Sequence, residues 1–370
     1  MTKVKIFGAG SIGNHLAHAC RNKNWAVTMV DIDRAALERT KNEIYPTRYG
    51  KWDNEIQLGT VAEKAASTER HDLVILGTPP DSHIPLSLEL LRKAPPKVLL
   101  IEKPLCTPSM EKIDELIRLA KETGTLVTVA YNHTLTPNTK AAGQLLASGV
   151  IGKALTVQAR FREHWGGIFR AHPWLNGPQD TYLGSTALGG GASGEHSHAI
   201  NIWQHFALAV GAGRVSEVSA MLDWVKDGTA HYDRICQVSV KTEKGLVGEV
   251  SQDVITEPAD KFVRIQGSTG FLEWYVNRDK QSDAIRYSDG KSPIQEKSFM
   301  KTRPDDFKGE IDHIEDLLSG KAKLADSPIA FERGLETMLV IIAAQVSSEH
   351  RRSVRINYEK GYTPGAIELT

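Results

Sequence analysis

The glycine pattern "GAGSIG", Gly8 to Gly13, is the stretch that most restricts how this chain can fold. It follows a β-rich run, "KVKIFG", and opens a helical pattern, so it predicts a tight strand-to-helix turn. Gly8 would permit the turn, Gly10 would let the backbone approach a pyrophosphate, and Gly13 would let the helix and strand pack closely. The helix N-terminus would offer amide donors to the phosphates. The pattern predicts a dinucleotide-binding domain; the alternative is an α/β domain whose glycine turn binds another ligand.

The first 130 residues alternate apolar β-rich runs, such as "DLVILGT" and "KVLLIEK", with helical patterns. One of these, "SMEKIDELIRLAKETG", has apolar residues at helical spacing and Gly124 near its C-cap. Such alternation predicts a doubly wound parallel sheet. After about residue 150, runs such as "DRICQVSVKT" follow one another without helices, which predicts a large open antiparallel sheet in an α+β domain. We expect domains over 1–132 and 133–370, with the C-terminal helix packing back toward the first.

Composition excludes several functional classes. Lys+Arg and Asp+Glu both number 45, so the net charge is zero, which argues against nucleic-acid and membrane-surface partners. There is no apolar run of about 18 residues, and the N-terminus has the pattern of a strand rather than a signal peptide. The cysteines, Cys20, Cys106 and Cys236, are scattered and odd in number. That predicts no disulfide framework and a cytoplasmic location.

Asp31 indicates which dinucleotide is bound. It ends the run "AVTMVD", eighteen positions after Gly13. A carboxylate there can accept hydrogen bonds from both ribose hydroxyls and would repel a 2′-phosphate, so NAD is favoured over NADP. Asp33 adds to that repulsion, whereas the nearby Arg34 opposes it.

Further motifs occur in a characteristic order: "GTPPDSH" (77–83), "EKPL" (102–105), "YNHTLTP" (131–137) and an imperfect glycine–histidine stretch, "GGGASGEHSHAIN" (189–201). With "GAGSIG", they make nearly the whole chain resemble the Gfo/Idh/MocA oxidoreductases, named for glucose–fructose oxidoreductase and inositol dehydrogenase. Members of that family have an N-terminal Rossmann domain and a C-terminal domain built on an open antiparallel sheet. They act mostly on sugars, sugar acids, nucleotide sugars, inositols and related polyols.

The resemblance implies that Lys103 reaches the substrate hydroxyl and the nicotinamide ribose, beside a Lys103–Pro104 bond that is often cis in the family. Thr78 and Pro79 would lie along the cofactor, with His83 behind them. The cofactor-binding residues expected are Gly8, Gly10, Ser11, Ile12, Gly13, Asp31, Ile32, Thr78, Pro79, Pro80, His83, Glu102 and Lys103.

The glycine–histidine stretch departs from the family pattern. Aligning "HAIN" with the usual ending puts His198 at the catalytic histidine, while Gly194 falls where an Asp is expected and Asn201 replaces a second acid. Glu195 is the nearest carboxylate. If a helix begins near residue 192, Glu195 and His198 share a face, so Glu195 could orient the imidazole. The catalytic residues expected are therefore Lys103, His198 and Glu195.

His196 and His198 with a nearby Glu also resemble a metal-ligand cluster. On a helix, however, the two imidazoles would diverge by about 200°. Zinc sites need three or four converging ligands. We therefore expect no metal.

The segment from Arg160 to Gly184 is rich in Arg, His and Trp and predicts a substrate loop. Its arginines would bind an anionic group, and its tryptophans would stack on a sugar ring. The alternative is an oligomer contact or a solvated loop. The substrate-binding residues expected are Tyr131, Asn132, His133, Arg162, Trp165, Arg170, Trp174 and His198.

These features predict an NAD-dependent dehydrogenase that oxidises a secondary hydroxyl, with Lys103 and His198 meeting over one nicotinamide ring. A homodimer or homotetramer formed through the C-terminal sheet is expected from the resemblance. The altered histidine stretch leaves a second hypothesis, an NAD-dependent glycoside hydrolase or epimerase that oxidises an anionic sugar transiently. A third is a non-enzymatic NAD-binding sensor.

Overall fold

The computed structural model describes residues 1–64, 69–171 and 175–370. These form two compact units. The first comprises Met1–Leu105, Lys112–Asn132 and Arg303–Phe331, and the second comprises Cys106–Glu111, His133–Thr302 and Glu332–Thr370. No helix in these described ranges is long and apolar enough to cross a membrane.

The strands are, in chain order, β1 (Lys3–Phe7), β2 (Ala26–Asp31), β3 (Ile56–Thr60), β4 (Leu73–Leu76), β5 (Val98–Ile101), β6 (Leu126–Val129), β7 (Ala154–Arg162), β8 (Val215–Asp227), β9 (Ala230–Thr242), β10 (Val247–Asp253), β11 (Asp260–Gly267), β12 (Phe271–Asp279), β13 (Ser282–Ser288), β14 (Gln295–Met300), β15 (Val354–Ile356) and β16 (Ile367–Leu369). The α-helices are α1 (Ser11–Arg21), α2 (Arg34–Arg39), α3 (Tyr45–Tyr49), α4 (Val61–Lys64), α5 (Pro80–Lys93), α6 (Ile113–Thr123), α7 (Pro137–Ala147), α8 (Gly166–Ala171), α9 (Gly191–Glu195), α10 (His198–Ala209), α11 (Arg303–Leu318) and α12 (Phe331–His350).

The first unit is built on a parallel six-stranded sheet in the order β3-β2-β1-β4-β5-β6. Every residue of β4 and β5 is buried, as expected for parallel strands covered on both faces. The strand order of the sheet reverses between β1 and β4, the place where open α/β sheets bind ligands. The segments that follow β1, β2, β4 and β5 therefore share one edge, the carboxyl edge.

Helix α11 belongs to the first unit although it lies late in the sequence. It packs against α1, where the Phe307 ring stacks on His15 with centroids 4.5 Å apart. Ile311 and Ile314 are fully buried. The cofactor-type unit is thus completed by residues distant in sequence.

The second unit contains a ten-stranded sheet in the order β14-β13-β12-β11-β7-β10-β9-β8-β15-β16. In this sheet β7 pairs with β10 in parallel, and all its other neighbouring strands are antiparallel. Helix α10 covers β7, where the indole of Trp203 donates to the Val157 carbonyl at 2.8 Å. The two sheets confirm the predicted fold class.

Candidate active site

Two of the three motif glycines are required by packing of the chain itself. Gly8 has φ +100°, and a Cβ on it would lie 2.4 Å from the Gly77 oxygen. A Cβ on Gly13 would lie 2.1 Å from the Gly8 oxygen. Gly10 differs, because its φ is −83° and nothing lies within 4 Å of the Cβ it lacks. Its missing side chain leaves an open cradle at the N-terminus of α1, which suits a pyrophosphate.

Asp31 lies beside this cradle. One oxygen accepts from the Ala9 backbone N–H at 2.7 Å and the other from Asp33 N–H at 2.9 Å. The carboxylate is therefore fixed next to the glycine turn, where ribose hydroxyls would be expected. Arg34 is ion-paired with Glu63, so its charge is partly neutralised. These residues fit NAD.

Two bracing groups of the turn were missed by the sequence analysis. Arg48 donates to both the backbone oxygen and the hydroxyl of Ser11, each at 2.8 Å. Asn14 donates to the Gly10 carbonyl at 2.8 Å. They hold the backbone of Gly10 and Ser11 at the start of α1. No periodicity in the sequence marks Arg48, because it acts across the fold.

The segments after β4 and β5 are joined by His83. Its Nε2 lies 2.8 Å from the Thr78 oxygen and its Nδ1 3.1 Å from the Leu105 oxygen. The ring is fully buried, and burial lowers its pKa. His83 therefore supports the Thr78–Pro79–Pro80 segment from behind. Ile32, by contrast, is 88% exposed.

Glu102 and Lys103 directly follow β5, and the Lys103–Pro104 peptide bond is cis. Glu102 is buried, and the side chain of Glu310, from α11, is fully buried in the same unit. Burial, and secondarily the charge of Glu102, raises the pKa of Glu310 well above its ordinary value. A buried carboxyl thus stands near the lysine motif, and it was not found from the sequence.

In the second unit, His198 opens α10 and packs against His133, with ring centroids 4.7 Å apart and planes at 78°. The ring centroid of His133 lies 5.4 Å from that of Phe161 and 6.1 Å from that of Trp274. The structure therefore brings together two predicted site histidines, and the fully buried rings of Phe161 and Trp274 pack against His133 from the core. Phe161 and Trp274 were missed because inward-facing aromatic residues on strands are ordinary core residues in sequence. Tyr131 and Asn132, at the end of β6, are buried in the first unit.

The predicted continuous helix from residue 192 is wrong. Helix α9 ends at Glu195 and α10 begins at His198, with His196 at φ −96° and ψ 22° between them. The single face expected for Glu195 and His198 is therefore interrupted. His196 is buried, and its Nε2 lies 3.2 Å from the Glu163 oxygen. Asn201 is buried and donates to Thr337.

The arginine-rich segment is only partly available for ligand binding. Arg162 pairs with the buried Asp253 at 2.6 Å. Trp165 is mostly buried against Tyr232, with centroids 4.9 Å apart, whereas Arg170 is exposed at the end of α8. Trp174 lies outside the described residues. Among described residues, no group of three or more His, Cys, Asp or Glu side chains could hold a metal ion.

Two family models match this chain. Residues 2–131 match the model described as an oxidoreductase family with an NAD-binding Rossmann fold, and residues 139–273 match the GFO/IDH/MocA C-terminal domain. The chain belongs to the GFO/IDH/MocA family. It is an NAD-binding oxidoreductase with a dehydrogenase fold, as predicted.

Solved structures share this fold at low identity. Levoglucosan dehydrogenase, in complex with NADH and levoglucosan, has a TM-score of 0.75 and 16% identity, covering 96% of this chain and 98% of that one. An aldose–aldose oxidoreductase from Caulobacter crescentus, complexed with glycerol, has a TM-score of 0.72 and 18% identity, and the match covers 96% of this chain and 99% of that one. An oxidoreductase from Agrobacterium radiobacter, in complex with NAD⁺, L-tartaric acid and magnesium, has a TM-score of 0.72 and 18% identity, and the match covers 96% of this chain and 98% of that one. No curated protein sequence matches the chain significantly.

Proposed function

We propose that this enzyme oxidises a secondary hydroxyl of a sugar, sugar acid, nucleotide sugar or polyol, with NAD as hydride acceptor. The observation that carries the proposal is the open cradle at Gly10, with Asp31 beside it and Lys103 on the same edge of the sheet. The carbohydrate and polyol ligands named for levoglucosan dehydrogenase and the aldose–aldose oxidoreductase support the substrate class.

Bound NAD would supply the nicotinamide carbon that takes the hydride. The amides at the start of α1 would bind its phosphates, and Asp31 would accept from the adenosine ribose. The first unit therefore supplies binding and orientation.

The substrate hydroxyl must lose its proton as the hydride leaves, which requires a base. Lys103 and His198 are the two candidates. Lys103, when charged, would also stabilise negative charge developing on the substrate oxygen. His133 and His198, whose rings meet edge to face, would offer polar ring edges to the sugar hydroxyls, while the fully buried rings of Phe161 and Trp274 would hold His133 in place from the core.

Lys103→Met tests the assignment. We expect kcat to fall about 10²- to 10⁴-fold, because acid–base help is lost. NAD binding, measured by calorimetry, should remain. The assay follows NADH absorbance while sugars, sugar acids and polyols are offered.

Lys97→Met is the matched control, because Lys97 lies before β5, at the opposite end of the strand from Lys103. The side chain of Lys97 is 72% exposed. This variant should keep full activity. Failure of the parent enzyme to oxidise any hydroxyl compound while binding NAD would refute the proposal. Product that accumulates without NADH would instead support the glycoside hydrolase or epimerase hypothesis.

We infer a cytoplasmic location from the cysteines. Cys20, Cys106 and Cys236 are all buried free thiols. Unpaired cysteines are typical of a reducing compartment, which supports the inference.

A further inference from the structure

Asp233, on β9 of the second unit, is a fully buried carboxyl that accepts three hydrogen bonds. Ser193 donates its backbone N–H to one oxygen at 2.7 Å and its hydroxyl to the other at 2.9 Å. The Thr186 hydroxyl donates at 3.3 Å. These donors belong to Thr186 and Ser193, in the stretch that leads to His198. The Asp233 carboxyl therefore binds the glycine-rich segment, residues 186–193, at both of its ends.

A β-bulge turns Asp233 to the inside. Asp223 pairs with Ile235 and Trp224 pairs with Asp233, so Arg234 is an extra residue in β9. The buried residues of β9 otherwise alternate from Cys236 onward, and this alternation would have exposed residue 233. Bulges re-aim side chains in this way. Burial raises the pKa of Asp233 to about 7, against the lowering effect of the Ser193 bonds. A carboxyl in this position is costly unless it is hydrogen-bonded.

A backbone carbonyl of the same glycine-rich segment is bound by β10, the strand next to β9. Gln252, on β10, donates its side-chain amide to the Ala192 carbonyl at 3.2 Å. Gly191 packs directly on the carboxyl: its φ is +78°, and a Cβ there would lie 2.1 Å from an Asp233 oxygen. The turn through Gly191 and Ser193 is therefore fixed by two strands at once.

The turn through Gly191 and Ser193 lies directly before α10. The short helix α9 contains Gly191 and Ser193, and only His196 and Ser197 separate it from His198. Further along α10, Trp203 is anchored to β7, so the helix body is held independently. The first residue of α10 is therefore the part whose direction depends on the turn.

We propose that Asp233 is a positioning residue that fixes the glycine-rich turn and thereby aims His198 at the substrate. The proposal rests on the proposed function, since it assumes that His198 acts in the reaction. It adds a residue that touches neither substrate nor cofactor.

Asp233→Asn is the main test. An amide has only one acceptor oxygen, so its NH₂ group would either oppose the Ser193 backbone N–H or force the Ser193 and Thr186 hydroxyls to turn and accept, and both outcomes change the present bonds. We expect kcat to fall about 10- to 100-fold, as for a small misplacement of a catalytic group, with the KM for NAD unchanged. Amide hydrogen exchange in residues 186–198 should quicken at least tenfold, while that in residues 203–209 should not change. The exchange measurement requires no turnover.

Asp223→Asn is the matched control, because Asp223 flanks the same bulge but is partly exposed and pairs with Arg234 at 2.5 Å. It should match the parent in both measurements. Ser193→Ala removes only one donor and should lower kcat about fivefold, which gives a milder variant if Asp233→Asn folds poorly.

Parent-like kcat and exchange in Asp233→Asn would overturn the inference. A loss of NAD affinity as large as the loss of kcat would also overturn it, because the effect would then not be specific to the turn. So would a Ser193→Ala enzyme with parent-like amide exchange, because the turn would then not depend on the Ser193 hydroxyl. A parent enzyme that oxidises no hydroxyl compound would refute the proposed function. The exchange data would still decide whether Asp233 fixes the turn.

Discussion

Glu310 is a carboxylic acid whose pKa is higher in the folded protein than in the unfolded chain, so its protonation affects stability. It is fully buried, neither carboxyl oxygen has a hydrogen-bond partner among the described residues, and its pKa is raised by burial and by Glu102. The folded enzyme therefore keeps this proton at pH values where the unfolded chain has released it. The stability that this provides is complete below the ordinary pKa of 4.5 and is lost as pH rises toward the folded value.

Glu310→Gln should consequently stabilise the protein at neutral pH. The amide keeps the shape and has no proton to lose, so its advantage should grow between about pH 5 and pH 8, by up to about 1.4 kcal/mol per pH unit. Urea unfolding of the parent and the variant at pH 4, 6 and 8 measures this. Parallel stability curves across that range would show that Glu310 does not titrate in this way.

At the scale of elements, Gly248 determines how α10 packs on the second sheet. A Cβ on Gly248 would lie 2.1 Å from the Val157 oxygen and 2.8 Å from the indole nitrogen of Trp203. Gly248→Ala should destabilise the protein by about 1–3 kcal/mol, because it overpacks this contact. Chemical denaturation provides the measurement.

Gly143→Ala is the natural comparison. Gly143 lies inside α7, and nothing lies within 4 Å of the position that a Cβ would take, so alanine should stabilise the protein by about 0.5–1 kcal/mol. Equal effects at the two glycines would contradict the packing explanation.

Regular elements were predictable because local pattern determines them. Helix α6 follows the apolar spacing of its run, and Gly124 ends it at φ +70°. The break between α9 and α10 was not predictable, because no local pattern marks it and α9 is bound by Asp233 and Gln252, which lie on strands distant in sequence. The bulge at Arg234 likewise arises from pairing with β8. Gly10 and Asp31 were found from motif spacing, whereas Glu310 and Asp233 carry no local signal.

At the scale of the whole molecule, the second sheet carries exposed apolar residues. Met221, on β8, is 80% exposed, and Val247, on β10, is 54% exposed. A second copy of the chain packed on this sheet would remove both side chains from water. We therefore propose a homo-oligomer formed through this sheet, by a second copy of the chain.

Met221→Glu should shift the protein to a smaller assembly, because burying an unpaired carboxylate in an interface is costly. Light scattering coupled to gel filtration gives the mass. Met300→Glu, at a methionine that is 73% exposed at the end of the edge strand β14, should leave the mass unchanged. A monomeric parent would refute the proposal.

The late position of α11 affects how this protein is made. On the ribosome, the strands of the first unit emerge early, yet α1 must wait for the segment Arg303–Phe331 to cover it. At about 5–20 residues per second, synthesis of the intervening chain takes on the order of ten seconds or more. During that interval the nascent chain displays an unfinished apolar surface, so premature termination before Arg303 would release a product without the helix that seals its nucleotide-binding half.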